Sequence, residues 1–154
     1  MNSDIRILFE LQDTALLQSR VSGFALGHFS ITGSAGQAST LQCGPDRGLT
    51  MIVVDATAWL DAVRKVLVES NVEFSCVQAP LSIRLVRVRS GGVAIMHGHR
   101  MIEPVVSWSN LANISVAAAR ALVAQGFTAV GNVDSSVAAW LDLRDAIAAL
   151  QKQL

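Results

Sequence analysis

Charge is scarce in this chain: Asp, Glu, Lys and Arg make up 16% of its 154 residues, against a usual share of about 25% in soluble domains. Twelve basic residues balance twelve acidic ones. There is no net field to gather nucleic acid or an anionic membrane surface, and neither is expected as a partner. No apolar run approaches the roughly 18 residues of a membrane span. The N-terminal run is interrupted by Asp4, Arg6 and Glu10, which does not read as a signal peptide. Cys43 and Cys76 are the only cysteines, too few for a disulfide framework, so reduced thiols in the cytoplasm are expected.

Familiar chemical signatures are missing as well. Gly33-Ser34-Ala35-Gly36 resembles a phosphate-cradling loop, but no Gly-Lys-Ser/Thr follows and no Gly-x-Gly-x-x-Gly pattern exists in the chain. Ser34 fails the nucleophile-elbow pattern because Thr32 stands where glycine is required. Cys43 lies beside Gly44 with no histidine in sequence reach to activate it, and Cys76 sits in an apolar strand as a small core residue.

What is present is apolar patterning. Hydrophobic residues make up 51% of the chain, enough for one domain with a sizeable core. So little charge leaves apolar surface that a small monomer hides poorly, and a homo-oligomer or a stable partner complex is expected. Residues 5–11 and 24–31 read as two paired strands. Residues 32–48 collect glycine, serine, Pro45 and Asp46 and read as the longest loop, with nothing periodic to fold. Residues 51–54 are a short apolar strand or the lead-in to a helix capped by Asp55 or Thr57, with Ala56, Trp59, Leu60, Val63 and Leu67 as its buried stripe. Asn71 suits the left-handed cap at its end.

Residues 72–77 return as a strand, and Pro80 breaks the chain. Leu81, Ile83 and Leu85 alternate in one phase and Val86 and Val88 in the other, which predicts a bulge or a two-sided strand. Ser90-Gly91-Gly92 turns it into a hairpin with residues 93–96, and residues 102–106, with Pro104, form an edge or connector. Two helices follow, over 111–125 and 135–152. Gly126 ends the first and Asp134 starts the second, with residues 127–130 between them as a strand or an extended link. The first carries Arg120 as its sole charge and reads as buried on several sides, whereas Trp140, Leu143, Ile147, Leu150 and Leu154 give the second one clean stripe. The expected fold is α+β: a mixed, mainly antiparallel sheet with about three helices packed on it, one domain over 1–154.

Two side-chain groups bear on function. His97 and His99 alternate and could share a metal from a strand, but Gly98 makes the segment equally a turn and a third ligand would have to come from Cys43, His28 or Glu103. Solvent-facing histidines at a hairpin end are the better reading, and no metal or cofactor is expected. Residues 74–102 hold Arg84, Arg87, Arg89 and Arg100 and no acid, a third of the twelve positive charges. Guanidinium forks grip carboxylates and phosphates bidentately, so these four are the candidate partner-binding residues. Alternation puts Arg87 and Arg89 on one side of their strand and Arg84 on the other, unless a bulge near Leu85 realigns them. Failing that hairpin, the 32–48 loop is the next candidate interface.

Three pieces carry a family resemblance: Ser22-Gly23-Phe24-Ala25-Leu26-Gly27-His28-Phe29-Ser30-Ile31, then Met51-Ile52-Val53-Val54 leading into Trp59-Leu60-Asp61-Ala62-Val63, then the strand 74–77 running into the arginine hairpin. Together they resemble small bacterial immunity proteins of polymorphic toxin systems. The chain departs from that pattern at Gln78-Ala79-Pro80, where the family has Asp-Ser-Ser, and no functional residue carries over. The resemblance implies a non-catalytic protein that binds one cognate toxin domain. The alternative is a small-molecule- or metal-binding enzyme whose residues meet only in three dimensions.

Overall fold

The computed structural model describes residues 4–12, 24–44, 48–126 and 135–154. Strand β1 (Arg6–Leu11) alternates with period two, turning Ile7, Phe9 and Leu11 inward and Arg6, Leu8 and Glu10 outward. It pairs antiparallel with β2 (Leu26–Thr32) so that Phe9 faces Phe29 and Ile7 faces Ile31. The expected pair of strands is therefore present. The short strands β3 (Gln37–Ser39) and β4 (Thr50–Met51) complete this first sheet, both pairing with β2.

The 32–48 segment is not the unstructured loop its composition suggests. It contains β3 and a 3-10 turn over Thr40–Cys43, capped where Ser39 Oγ accepts the Leu41 N–H. Thr40 is fully buried, and its hydroxyl accepts the Phe29 N–H at 3.1 Å. Burial of one threonine and pairing to β2 give the segment tertiary support that no local pattern announces. Pro45, Asp46 and Arg47 lie outside the described residues.

Helix α1 (Ile52–Glu69) starts earlier than the capping signals indicate. Asp55 is not its cap but a buried first-turn residue, and Val66 rather than Leu67 completes the buried stripe. Ser70, not Asn71, takes the left-handed position after the helix, at φ 64°. The second sheet then runs in the order β5 (Asn71–Ser75), β6 (Ser82–Arg87), β7 (Val93–His97), β8 (Arg100–Val106), antiparallel throughout. β8 is an edge strand, the position in which Pro104 removes no ladder bond from a neighbour on both sides. No register shift occurs between β6 and β7; the irregularities fall between β7 and β8, around Ile95.

Helices α2 (Trp108–Gly126) and α3 (Ser135–Gln151) pack on α1 and on each other, and α2 also lies against β1. α2 is covered on several sides, by α1, α3 and β1, but not all round. Its outer face carries Asn113, Ala117, Arg120, Ala121, Ala124 and Gln125, so the chain's shortage of charge is met here by exposed alanine and uncharged amides. α3 behaves as its stripe predicts, burying Trp140, Leu143, Ile147 and Leu150, although Leu154 is exposed. Asp134 and the 127–130 link lie outside the described residues. A Cβ at Gly126 would collide with the Trp140 ring, so glycine there lets α3 close on α2.

One core joins all these elements. At its centre Phe9, Phe29, Trp59 and Phe74, from β1, β2, α1 and β5, pack in tilted and edge-to-face pairs with neighbouring ring centroids 5.3–5.4 Å apart. Such pairs add about 0.5–1.5 kcal/mol each beyond area burial. Trp59 Nε1 donates to Ser115 Oγ at 2.9 Å and Trp108 Nε1 to the Val63 carbonyl at 2.8 Å, which fixes α2 along α1 without an unpartnered indole. The architecture is α+β as expected, but its strands divide into two sheets that share α1.

Candidate functional site

The four candidate arginines do not form one patch. Arg87 closes β6 beside the end of α1, which has no basic residue in its own last turn. Its backbone N–H donates to the Ser70 carbonyl at 2.7 Å, and its guanidinium donates to the Leu67 carbonyl. Arg87 thus serves the unsatisfied carbonyls and the negative pole of a helix terminus. Arg89 stands exposed in the turn between β6 and β7.

Arg84 and Arg100 lie toward the opposite end of the sheet. Arg84 projects from the outer face of β6, across from Glu73 on one side and Met96 on the other, and its Nη2 reaches Met96 Sδ at 3.5 Å. Arg84 and Arg87 therefore occupy opposite faces, as alternation requires when no bulge intervenes. Arg100 opens β8 directly opposite His97. Between them the chain reverses through Gly98-His99, with Gly98 at φ 59°, a backbone that glycine adopts without strain.

This hairpin tip has a cleft on each side. The larger, about 480 Å³, is lined by His97, Arg100, Met101 and Ile102 from the hairpin and by Ala35, Gly36, Gln37 and Gln42 from the first sheet. The smaller, about 240 Å³, is lined by Glu73, Ser82, Arg84, Gly98 and His99. Neither arginine has a carboxylate within ion-pair distance among the described residues.

The wall of the larger cleft is tied down from within. Glu103 is 5% exposed and its Oε2 accepts the Ser34 N–H at 2.8 Å, while Ala35 N–H donates to the Ile102 carbonyl at 2.9 Å. A Cβ on Gly33 would run into that same carbonyl, so glycine permits the approach of loop to strand. The Gly33-Ser34-Ala35-Gly36 run is accordingly a clasp between the two sheets, with Ser34 and Ala35 N–H groups already committed. Sequence reasoning named Glu103 only as a conceivable metal ligand. The signal was there: it is the first acid after the arginine block, set between Ile102 and Pro104.

A second polar group is wholly interior. Asp55 is 0% exposed; its carboxylate accepts the Thr50 hydroxyl at 2.5 Å and the Val77 N–H at 3.0 Å, and Thr50 Oγ1 accepts the Gln78 N–H at 3.3 Å. Burial raises the Asp55 carboxyl above its ordinary value, partly offset by these bonds. Cys76 beside it is pushed far up, first by burial and then by the Asp55 charge and hydrogen bond, which leaves an inert thiol. This network pins the start of α1 to the chain leaving β5. Asp55 stands one helical turn before Trp59, and a carboxylate on an apolar stripe was the legible sign of it.

The other candidates scatter. Cys43 ends the 3-10 turn, half-buried, and His28 Nδ1 lies 3.2 Å from Thr40 Oγ1 and 3.0 Å from the Gly48 carbonyl oxygen. Among the described residues, His97 and His99 belong to no group of three metal-type ligands. No helix among those residues is long and apolar enough to cross a membrane. No family model, no curated protein and no solved structure matches this chain.

Proposed function

We propose that this protein is non-catalytic and acts in the bacterial cytoplasm by binding another protein, in the manner of an immunity protein that neutralises a toxin domain, without a cofactor. The observation that carries the reading is the pair of arginines flanking one hairpin tip. Arg84 and Arg100 are exposed, border the two clefts, and have no carboxylate partner among the described residues. Guanidinium groups held on a rigid hairpin suit an acidic surface and give directional contacts at little ordering cost. Arg87 and Arg89 fall at the other end, so the partner face centres on Arg84 and Arg100.

The family resemblance is what supports a toxin as the partner class. Phe29, Ile31, Ile52, Val53, Trp59, Leu60 and Phe74, which carry it, are all buried core residues. They bear on the shape of the scaffold, and the partner is left to the surface. Self-association belongs to the same proposal. Its support is exposed apolar side chains such as Leu8, Leu41 and Val68, rather than the alanine face of α2.

Co-expression with the product of the adjacent gene, followed by light scattering, tests the reading. A stoichiometric complex is expected, and Arg84→Glu with Arg100→Glu should slow its formation and change its salt dependence. Absence of any complex, or an association rate indifferent to the double reversal, overturns it.

A further inference from the structure

We propose that the larger cleft, between the Gly33–Gln37 loop and the β7–β8 hairpin, is a carboxylate-binding site. The inference deepens the partner-binding reading, on which it rests for the expectation that the carboxylate is an Asp or Glu side chain. A carboxylate on a small molecule shares the chemistry. Among the described residues the lining is lopsided in charge: it offers the Arg100 guanidinium, the His97 imidazole and the carboxamides of Gln37 and Gln42, and no acid. Glu103, the nearest acid in sequence, is buried and bonded to the Ser34 N–H, so it does not neutralise Arg100.

The shape agrees with the chemistry. About 480 Å³ falls within the roughly 300–1,000 Å³ of small-ligand pockets. Met101 and Ile102 add apolar wall for the methylenes that carry an acidic group. Both walls are preformed, one by the loop's bonds to Ile102 and Glu103 and the other by the hairpin register, which limits the ordering cost of binding. A single guanidinium fork matches the two oxygens of one planar carboxylate, whereas a phosphate dianion calls for more positive charge than the described residues of this cleft supply.

The test titrates the isotope-labelled full chain, followed by NMR, with acetyl-Gly-Glu-Gly-amide, its glutamine analogue, glutarate and inorganic phosphate. Carboxylate probes should shift the backbone signals of Gly36, Gln37 and Arg100, and the glutamine peptide should not. Arg100→Gln should weaken the response by about tenfold, Arg100→Lys should recover part of it, and Arg120→Gln, on the outer face of α2, should leave it unchanged. A response to the glutamyl peptide alone assigns a protein source and one to glutarate alone a small molecule; either upholds the site. Equal shifts with the glutamine peptide, saturation by phosphate at lower concentration, or an Arg100→Gln variant that binds as before overturns it. If the probes bind while no partner complex forms, the protein-binding reading fails and the cleft stands. The reverse result removes the cleft and leaves that reading intact.

Discussion

The helix-facing side of the second sheet and its hairpin tip use charged groups in opposite ways. On the inner side each charge is answered by the chain itself: Asp55 by Thr50 and Val77, Glu103 by Ser34, Arg87 by the end of α1. At the tip, Arg84 and Arg100 have no such answer among the described residues. In a molecule with so few charges, the contrast separates groups the fold consumes from groups it leaves at the surface. A buried polar group without a partner costs about 1–3 kcal/mol, whereas an exposed one is kept satisfied by water.

Removing Asp55 is the most severe way to break that contrast. Asp55→Ala should cost about 3 kcal/mol in urea unfolding, because the Val77 N–H and the Thr50 hydroxyl lose their acceptor in a dry site. The same carboxyl predicts a pH effect. Its folded pKa is raised, so the folded state holds the proton more tightly than the unfolded chain. Its contribution is therefore fully present below the ordinary carboxyl value of 3.8 and is lost as pH rises through the folded value. The stability of wild type relative to Asp55→Asn should fall across that window and then level off. A difference that grows with pH there would show that the hydrogen bonds outweigh burial.

Glu103→Ala comes next, at about 1.5 kcal/mol for a charge-assisted bond to a backbone N–H. Its more telling readout is hydrogen exchange, which should accelerate at Ser34 and Ala35 as the clasp loosens. Unchanged protection would mean that the Ala35–Ile102 bond alone holds the loop. The smallest effects belong to the arginines. Arg87→Ala should cost about 0.5 kcal/mol, the scale of a cation at a helix C-terminus, while Arg84→Ala and Arg100→Ala should leave thermal melting unchanged. If all three melt alike, the division between consumed and available arginines fails.

Much of the scaffold was legible in the residue order. Strand-forming residues marked β1, an apolar run marked β2, the Trp140–Leu150 stripe marked α3, and Gly91-Gly92 marked the hairpin turn, because these features express local backbone geometry and one-sided burial. The separation of Arg84 from Arg87 also followed from alternation alone.

Other features depended on contacts far apart in sequence. β3 exists because residues 37–39 reach the edge of β2, and the first turn of α1 forms around a carboxylate whose partner, Val77, lies twenty-two positions away. The apolar look of α2 overstated its burial, since alanine serves equally on a packed face and a solvated one. Composition and spacing by themselves determined the α+β class, the neutral charge and the presence of an arginine-rich hairpin. Only the tertiary structure decided which arginine caps a helix, which acid fastens the loop, and that Gln37 and Gln42 share a cleft with Arg100, because each outcome turns on which strands and loops become neighbours.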